Sequence, residues 1–79
     1  MSPTIFRQGP YRFYFFSREE PRVHVHVQSS GGEAKFWLEP QIELAQNYGL
    51  NTRQVNTLLR LVKEHEHEIR EAWQTHFGR

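Results

Sequence analysis

Hydrophobic and polar residues alternate along the first half of this chain, whereas past about residue 50 the hydrophobic ones recur every three or four positions. Strand-like patterning followed by helix-like patterning predicts an α+β domain rather than alternating parallel βαβ units. The segments TIFR (residues 4–7) and YRFYFFS (11–17) read as β runs joined by the turn QGP, and REEP (18–21) is the next break. The segments VHVHVQ and EAKFWL then flank SSGG. With Ser30 and Gly31 as the tight turn of a hairpin, facing residues have numbers that sum to 61. That register sets Val27, Val25 and Val23 opposite Ala34, Phe36 and Leu38 on one face. On the other face it sets Gln28, His26, His24 and Arg22 opposite Glu33, Lys35, Trp37 and Glu39. A slip of one residue would mix the two sets, so the alternation selects the register independently of turn type.

The run 11–17 is aromatic on both faces. Its Phe13 set belongs with the valines, because Arg12 and Tyr14 carry polar tips that would need partners in a core but can reach water or a ligand on the other side. After LEP, the segment QIELAQNYG reads as a short helix over 41–48, stopped by Gly49 in a left-handed cap. A long helix over 52–76 follows, with Asn51 as N-cap and Gln54 at capping-box spacing. Its stripe of Val55, Leu58, Leu59, Val62, Ile69, Ala72, Trp73 and Phe77 covers the sheet. Unbroken, it would extend about 37 Å, against about 23 Å for a seven-residue strand. It therefore either overhangs the sheet, exposing Trp73 and Phe77, or breaks near EHEHE. The expected architecture is one domain, residues 1–79: an antiparallel β-meander of three to four strands within 1–38, the short helix, and the long C-terminal helix packed on one sheet face.

A 79-residue domain buries only about 60% of the surface its unfolded chain exposes, so the core is thin and a partner or dimer interface would help it. The chain has no cysteine, which excludes a disulfide framework and a thiolate zinc site. The formal net charge is +1, with five Lys/Arg and four Asp/Glu in residues 1–40 and five of each in 41–79. No basic stripe marks bulk nucleic-acid binding, but a site touching one or two phosphates needs only local charge. Without an apolar leader or a span of roughly 20 apolar residues, the expectation is a bacterial-type cytoplasmic protein with no membrane association.

His24 and His26 stand at i, i+2 on a strand, so both rings project from the same side with side-chain bases roughly 7 Å apart. Three readings fit that spacing. The pair can be the solvent face of an amphipathic strand. It can hold a metal, with Glu33 or a distant residue as third ligand. Or one ring takes a proton while the other donates one, as in metal-free cleavage of a phosphodiester, with Lys35 and Arg12 stabilising negative charge and Glu33 and Tyr14 as orienting groups. Lys35 beside His26 repels a cation and attracts phosphate, which disfavours the metal, and no cofactor is called for. His65 falls on the apolar stripe of the helix and reads as a core histidine satisfied by a carbonyl. His65 and His67 point about 200° apart on a helix and cannot share an ion, and the zinc-protease spacing is absent. Glu66 and Arg70 form an i, i+4 pair on a solvated face. Trp37 either stacks on a base or shields the sheet. Gly31 and Gly32 are turn residues and not a phosphate loop.

The segments PTIFRQGPYRFYFFSREEPRVHVHV, GGEAKFWLEP, ELAQNYGL and LLRLVKEHEHEIREAWQTHFG resemble, over nearly the whole chain, the small bacterial proteins of the domain of unknown function 4160 family. Pro21, His24, Val25, His26, Val27, Glu33, Ala34, Lys35, Trp37 and Leu38 fit its motif, and its helix carries a histidine and a tryptophan at the places of His65 and Trp73. Arg22 departs from it, standing where a second proline is common. The resemblance brings no established activity. It implies gene neighbours of the domain of unknown function 2442 family, a two-gene arrangement like that of toxin and antitoxin. The expected function is therefore a component of such a module whose His/Lys face binds or cleaves RNA, or another phosphate-bearing ligand, without metal. The alternatives are a non-enzymatic interaction module, pairing with a cognate partner or as a homodimer, and a histidine metal site.

Overall fold

The computed structural model describes residues 4–16 and 21–78. The end of the expected run 11–17 and most of the break at 18–21 lie outside the described residues. Five antiparallel strands, β1 (Thr4–Gln8), β2 (Tyr11–Tyr14), β3 (His24–Ser29), β4 (Gly32–Trp37) and β5 (Glu43–Tyr48), lie side by side in chain order. Two helices follow, α1 (Thr52–Glu64) and α2 (Glu66–Phe77). The fold is α+β, with one strand more than expected.

The β3–β4 hairpin has the register read from alternation, from His24 opposite Trp37 to Ser29 opposite Gly32. Strand β2 joins it with Phe13 beside Val27 and Tyr14 beside His26, so the Phe13 set does share the valine face. That face is the core. Phe13, Phe15, Val25, Val27, Phe36 and Leu38 are buried there, and Leu58, Val62, Ile69 and Trp73 from the helices complete the cluster.

Two sequence-based expectations are corrected. Residues 41–48 are not a short helix: Glu43–Tyr48 is the strand β5, paired with β4. Glu, Leu, Ala and Gln favour helix, yet a segment this short cannot meet the cost of helix nucleation, and the ladder with β4 satisfies its backbone instead. Gly49 has the expected positive φ of 84°, but at the end of a strand. There Asn47 Nδ2 donates to the Leu50 carbonyl at 3.0 Å, and the Leu50 amide donates to Asn47 Oδ1 at 3.1 Å. The second correction concerns the single long helix over 52–76, which does not run unbroken; of its two expected courses, the break near EHEHE is the one found. It breaks at His65, where the backbone leaves the helical region at φ −104°, ψ 17°. Trp73 is consequently not exposed on an overhang but 2% exposed, packed on Phe15 at 5.3 Å, and Phe77 is half-buried. The Asn51 capping box is present, with Gln54 N–H donating to Asn51 Oδ1 at 2.8 Å and Asn51 N–H to Gln54 Oε1 at 3.0 Å.

The β3–β4 turn and the end of β5 meet backbone to backbone. A Cβ on Gly32 would collide with the Tyr48 carbonyl and crowd Gly49, whereas one on Gly31 meets nothing within 4 Å. Gly32→Ala should therefore lower stability by about 1–3 kcal/mol, as overpacking does, with Gly31→Ala close to neutral. Urea unfolding of both variants checks this; equal midpoints would mean that the Tyr48–Gly49 approach does not constrain the fold.

Candidate functional site

Pairing across β2, β3, β4 and β5 lines up three transverse rows on the sheet face opposite the core. The central row is Tyr14, His26, Lys35, Gln46. On one side of it runs Arg12, Gln28, Glu33, Tyr48, and on the other His24, Trp37, Glu43. The period-2 alternation that buries Val25 and Val27 thus delivers histidines, a lysine and aromatic rings together on the outer face.

A pocket of about 100 Å³ lies among these rows, lined by Tyr14, Phe16, His26, Glu33, Ala34, Lys35, Gln46 and Tyr48. At roughly 30 Å³ per water it holds one small group such as a phosphate, not a whole nucleotide. Tyr14 stacks on His26 with ring centroids 5.4 Å apart, and Phe16 meets the same imidazole edge-on at 4.5 Å. Lys35 is only 7% exposed, its ammonium 4.5 Å from the centre of the Trp37 ring. The Arg22 guanidinium lies 4.1 Å from that same indole. Arg12 lies 4.6 Å over the Tyr14 ring and donates to Thr4 Oγ1 at 2.7 Å and to Gln28 Oε1 at 3.2 Å. Cation–π contacts of this kind hold a charge in place without neutralising it.

The site residues read from the sequence divide into two groups. His26, Lys35, Glu33 and Tyr14 converge on the pocket; Arg12 and His24 do not line it. Arg12 instead lines a wider groove of about 460 Å³ with Arg7, Gln28 and Ser29, on the far side of Tyr14. His24 shares the outer face but does not project into solvent: it is 0% exposed. Its Nδ1–H donates to the Arg22 carbonyl at 2.7 Å, since a carbonyl only accepts. The β2–β3 ladder ends at Tyr14–His26, one strand period before His24, and the Trp73 indole from α2 meets the His24 ring there at 5.1 Å. His26 is 5.1 Å away on the other side and Trp37 5.8 Å.

Gln46, Tyr48 and Phe16 were not anticipated as site residues. The first two were hidden by the helical reading of 41–48, although Gln46 and Tyr48 alternate with Ala45 and Asn47 as strand neighbours do. His65 stands apart, as its place on the helix stripe implied. Its partners are side chains and not the expected backbone carbonyl: its Nδ1 lies 2.9 Å from Glu68 Oε1, its Nε2 lies 3.2 Å from Gln8 Oε1, and its ring packs on Phe6 with centroids 4.3 Å apart. Glu66 and Arg70 pair at 2.8 Å as expected, though Arg70 also reaches the Leu38 carbonyl at 2.7 Å. Among the described residues no three His, Asp or Glu side chains converge as metal ligands, and no helix is long and apolar enough to cross a membrane.

These environments separate the two histidines experimentally. His24→Ala removes a fully buried ring and its hydrogen bond and should cost about 2–4 kcal/mol, whereas His26→Ala, at a half-buried position, should cost about 1 kcal/mol or less. Urea unfolding of the two variants measures the difference; equal destabilisation would contradict the packing of Trp73 on His24.

Comparison with curated proteins and with solved structures finds no match. The family described as "Domain of unknown function (DUF4160)" matches residues 11–74, a stretch that runs from the start of β2 to within α2 and includes every residue lining the pocket. The chain belongs to this family of domains of unknown function.

Proposed function

We propose that the outer sheet face binds a ligand that combines a phosphate with a stackable ring, and that single-stranded RNA is that ligand. The observation that carries this reading is the pocket in which Lys35 and His26 sit beneath exposed aromatic rings, Phe16 at 43% and Tyr48 at 60% exposure. A phosphate fits the pocket volume, and the adjoining base or bases stack on Phe16 and Tyr48. The groove lined by Arg7 and Arg12 gives the next phosphate a second cationic stop, on the far side of Tyr14. Glu33 accepts hydrogen bonds from sugar or base donors and opposes anions that lack them. In this reading the protein is one component of the two-gene, toxin–antitoxin-like module that the family resemblance implies.

Binding has more support than cleavage by two histidines. A general acid or base must come within hydrogen-bond reach of the proton it moves, and of the two rings only His26 lines the pocket. His24 acts as a positioning residue, packed against His26 and held by the Arg22 carbonyl. If strand scission occurs, His26 is the group that transfers the proton, with Lys35 stabilising the charge that develops on phosphorus-bound oxygen.

Fluorescence anisotropy with a labelled oligouridylate tests the reading. Lys35→Met and His26→Ala should each weaken binding by about tenfold or more, as loss of a charged or stacking contact does, with the far-ultraviolet circular dichroism unchanged. Glu33→Gln should weaken it a few-fold, through loss of the charged acceptor for the sugar hydroxyls. With two or three phosphates neutralised, the logarithm of affinity should fall with the logarithm of salt at a slope of about −1.4 to −2. Affinity that is insensitive to Lys35→Met, or no binding at millimolar protein, would refute the proposal.

A further inference from the structure

We infer that the free edge of β5 is a homodimer interface, where two copies pair β5 to β5 in antiparallel and merge their sheets into one. This inference does not depend on the RNA reading.

The sheet has two edges, β1 and β5. Edge strands carry unpaired backbone donors and acceptors that another strand can satisfy, and proteins that stay monomeric blunt them with bulges, charges, proline or covering side chains. Strand β1 is blunted in this way. Both edges carry a register irregularity, between Thr4 and Phe6 on β1 and at Ala45 on β5, so what separates them is that on β1 Arg7 is exposed while Phe6 and Gln8 are tied down by His65. Strand β5 has six residues, contains neither lysine nor proline, and presents Leu44 at 41% exposure as well as Tyr48. Among the described residues, two of the three exposed large hydrophobic residues thus lie on this one edge.

The strand is complementary to itself. Glu43 is its only charge, and it stands at one end. Antiparallel pairing about a two-fold axis carries the two Glu43 carboxylates to opposite ends, about 20 Å apart at 3.4 Å per residue when Gln46 faces its own copy, while parallel pairing would set them side by side. Each Glu43 also stays near Arg22 of its own chain, at 3.4 Å. Near the axis, Gln46 carries both a donor and an acceptor and can therefore bond its own copy. A cationic or acidic partner strand would lack this match. A two-fold axis perpendicular to the joined sheet keeps both outer faces on the same side. Three strand spacings separate the two β4 strands, about 14 Å, so two Lys35 pockets would open side by side.

An edge of six residues buries less than the roughly 1,200 Å² of a stable complex, so the dissociation constant should be on the order of 10–100 μM. Sedimentation equilibrium of the full chain from about 5 to about 500 μM spans that constant. The mass should rise from 9.5 kDa toward twice that value. Because the chain has no cysteine, Gln46→Cys and Arg7→Cys each place a single thiol, one on each edge. Oxidation should cross-link the Gln46→Cys chain at least tenfold faster. Leu44→Lys should weaken association about fivefold or more while the circular dichroism is retained; should that variant unfold, the cysteine pair still decides. A mass that stays at 9.5 kDa throughout, or equal cross-linking at both edges, overturns self-pairing, as does β5 pairing only with a different protein.

Discussion

The pairing of β3 with β4 around Ser30 and Gly31 is the constraint on which the other features depend. Strand side chains alternate, so one register sorts both faces at once. Val25 opposite Phe36 and Val27 opposite Ala34 inside entail His26 opposite Lys35 outside. The neighbouring strands inherit the arrangement: β2 adds Phe13 to the core and Tyr14 to the outer row, and β5 adds Gln46 next to Lys35. A shift in register would therefore empty the core and scatter the pocket together. The chain has no route to altering one without the other, except by changing side chains in place.

The outer face is nevertheless not a simple solvated surface. A domain of 79 residues has a thin aliphatic layer, and here burial continues through to the far side of the sheet. Tyr14, His24 and Lys35 are all buried there by stacking and by cation–π contact. The two histidines of the H-x-H pair differ because of where the ladder ends. His26 is flanked by Tyr14 on β2, whereas His24 lies beyond the last β2–β3 pair and packs against an indole that belongs to the helix layer. Trp73 thus joins the helix layer to both sheet faces, touching Phe15 on one and His24 on the other.

That difference marks the limit of what alternation reveals. The hairpin register, the parity of β2 and the Asn51 cap were legible because each depends on residues within a few positions or on a period that repeats. Strand β5 was not, since its composition favours helix and its strand state comes from pairing with β4 and from the contact of Gly32 with Tyr48 and Gly49, neither of which has a local signature. Losing β5 also lost Gln46 and Tyr48 from the site. The burial of His24 was illegible for the same reason, as the residue that covers it stands 49 positions away, at 73 against 24.

A net charge of +1 is compatible with the proposed phosphate site, because the outer face gathers several cations. Arg12 lies over Tyr14, while Arg22 and Lys35 lie against Trp37. A ring helps to fix a cation through its quadrupole while leaving its field in place. The Arg22–Glu43 pair is exposed on both sides and is screened by water, so it removes little of that field. Glu33 is the acidic group inside the pocket, one strand period along β4 from Lys35. The pocket therefore brings a lysine and a carboxylate together. Under the proposed RNA reading, that polarity would discriminate among anions: one carrying its own hydrogen-bond donors close to the phosphate, as a ribose does, would meet both groups favourably, and a bare anion only one.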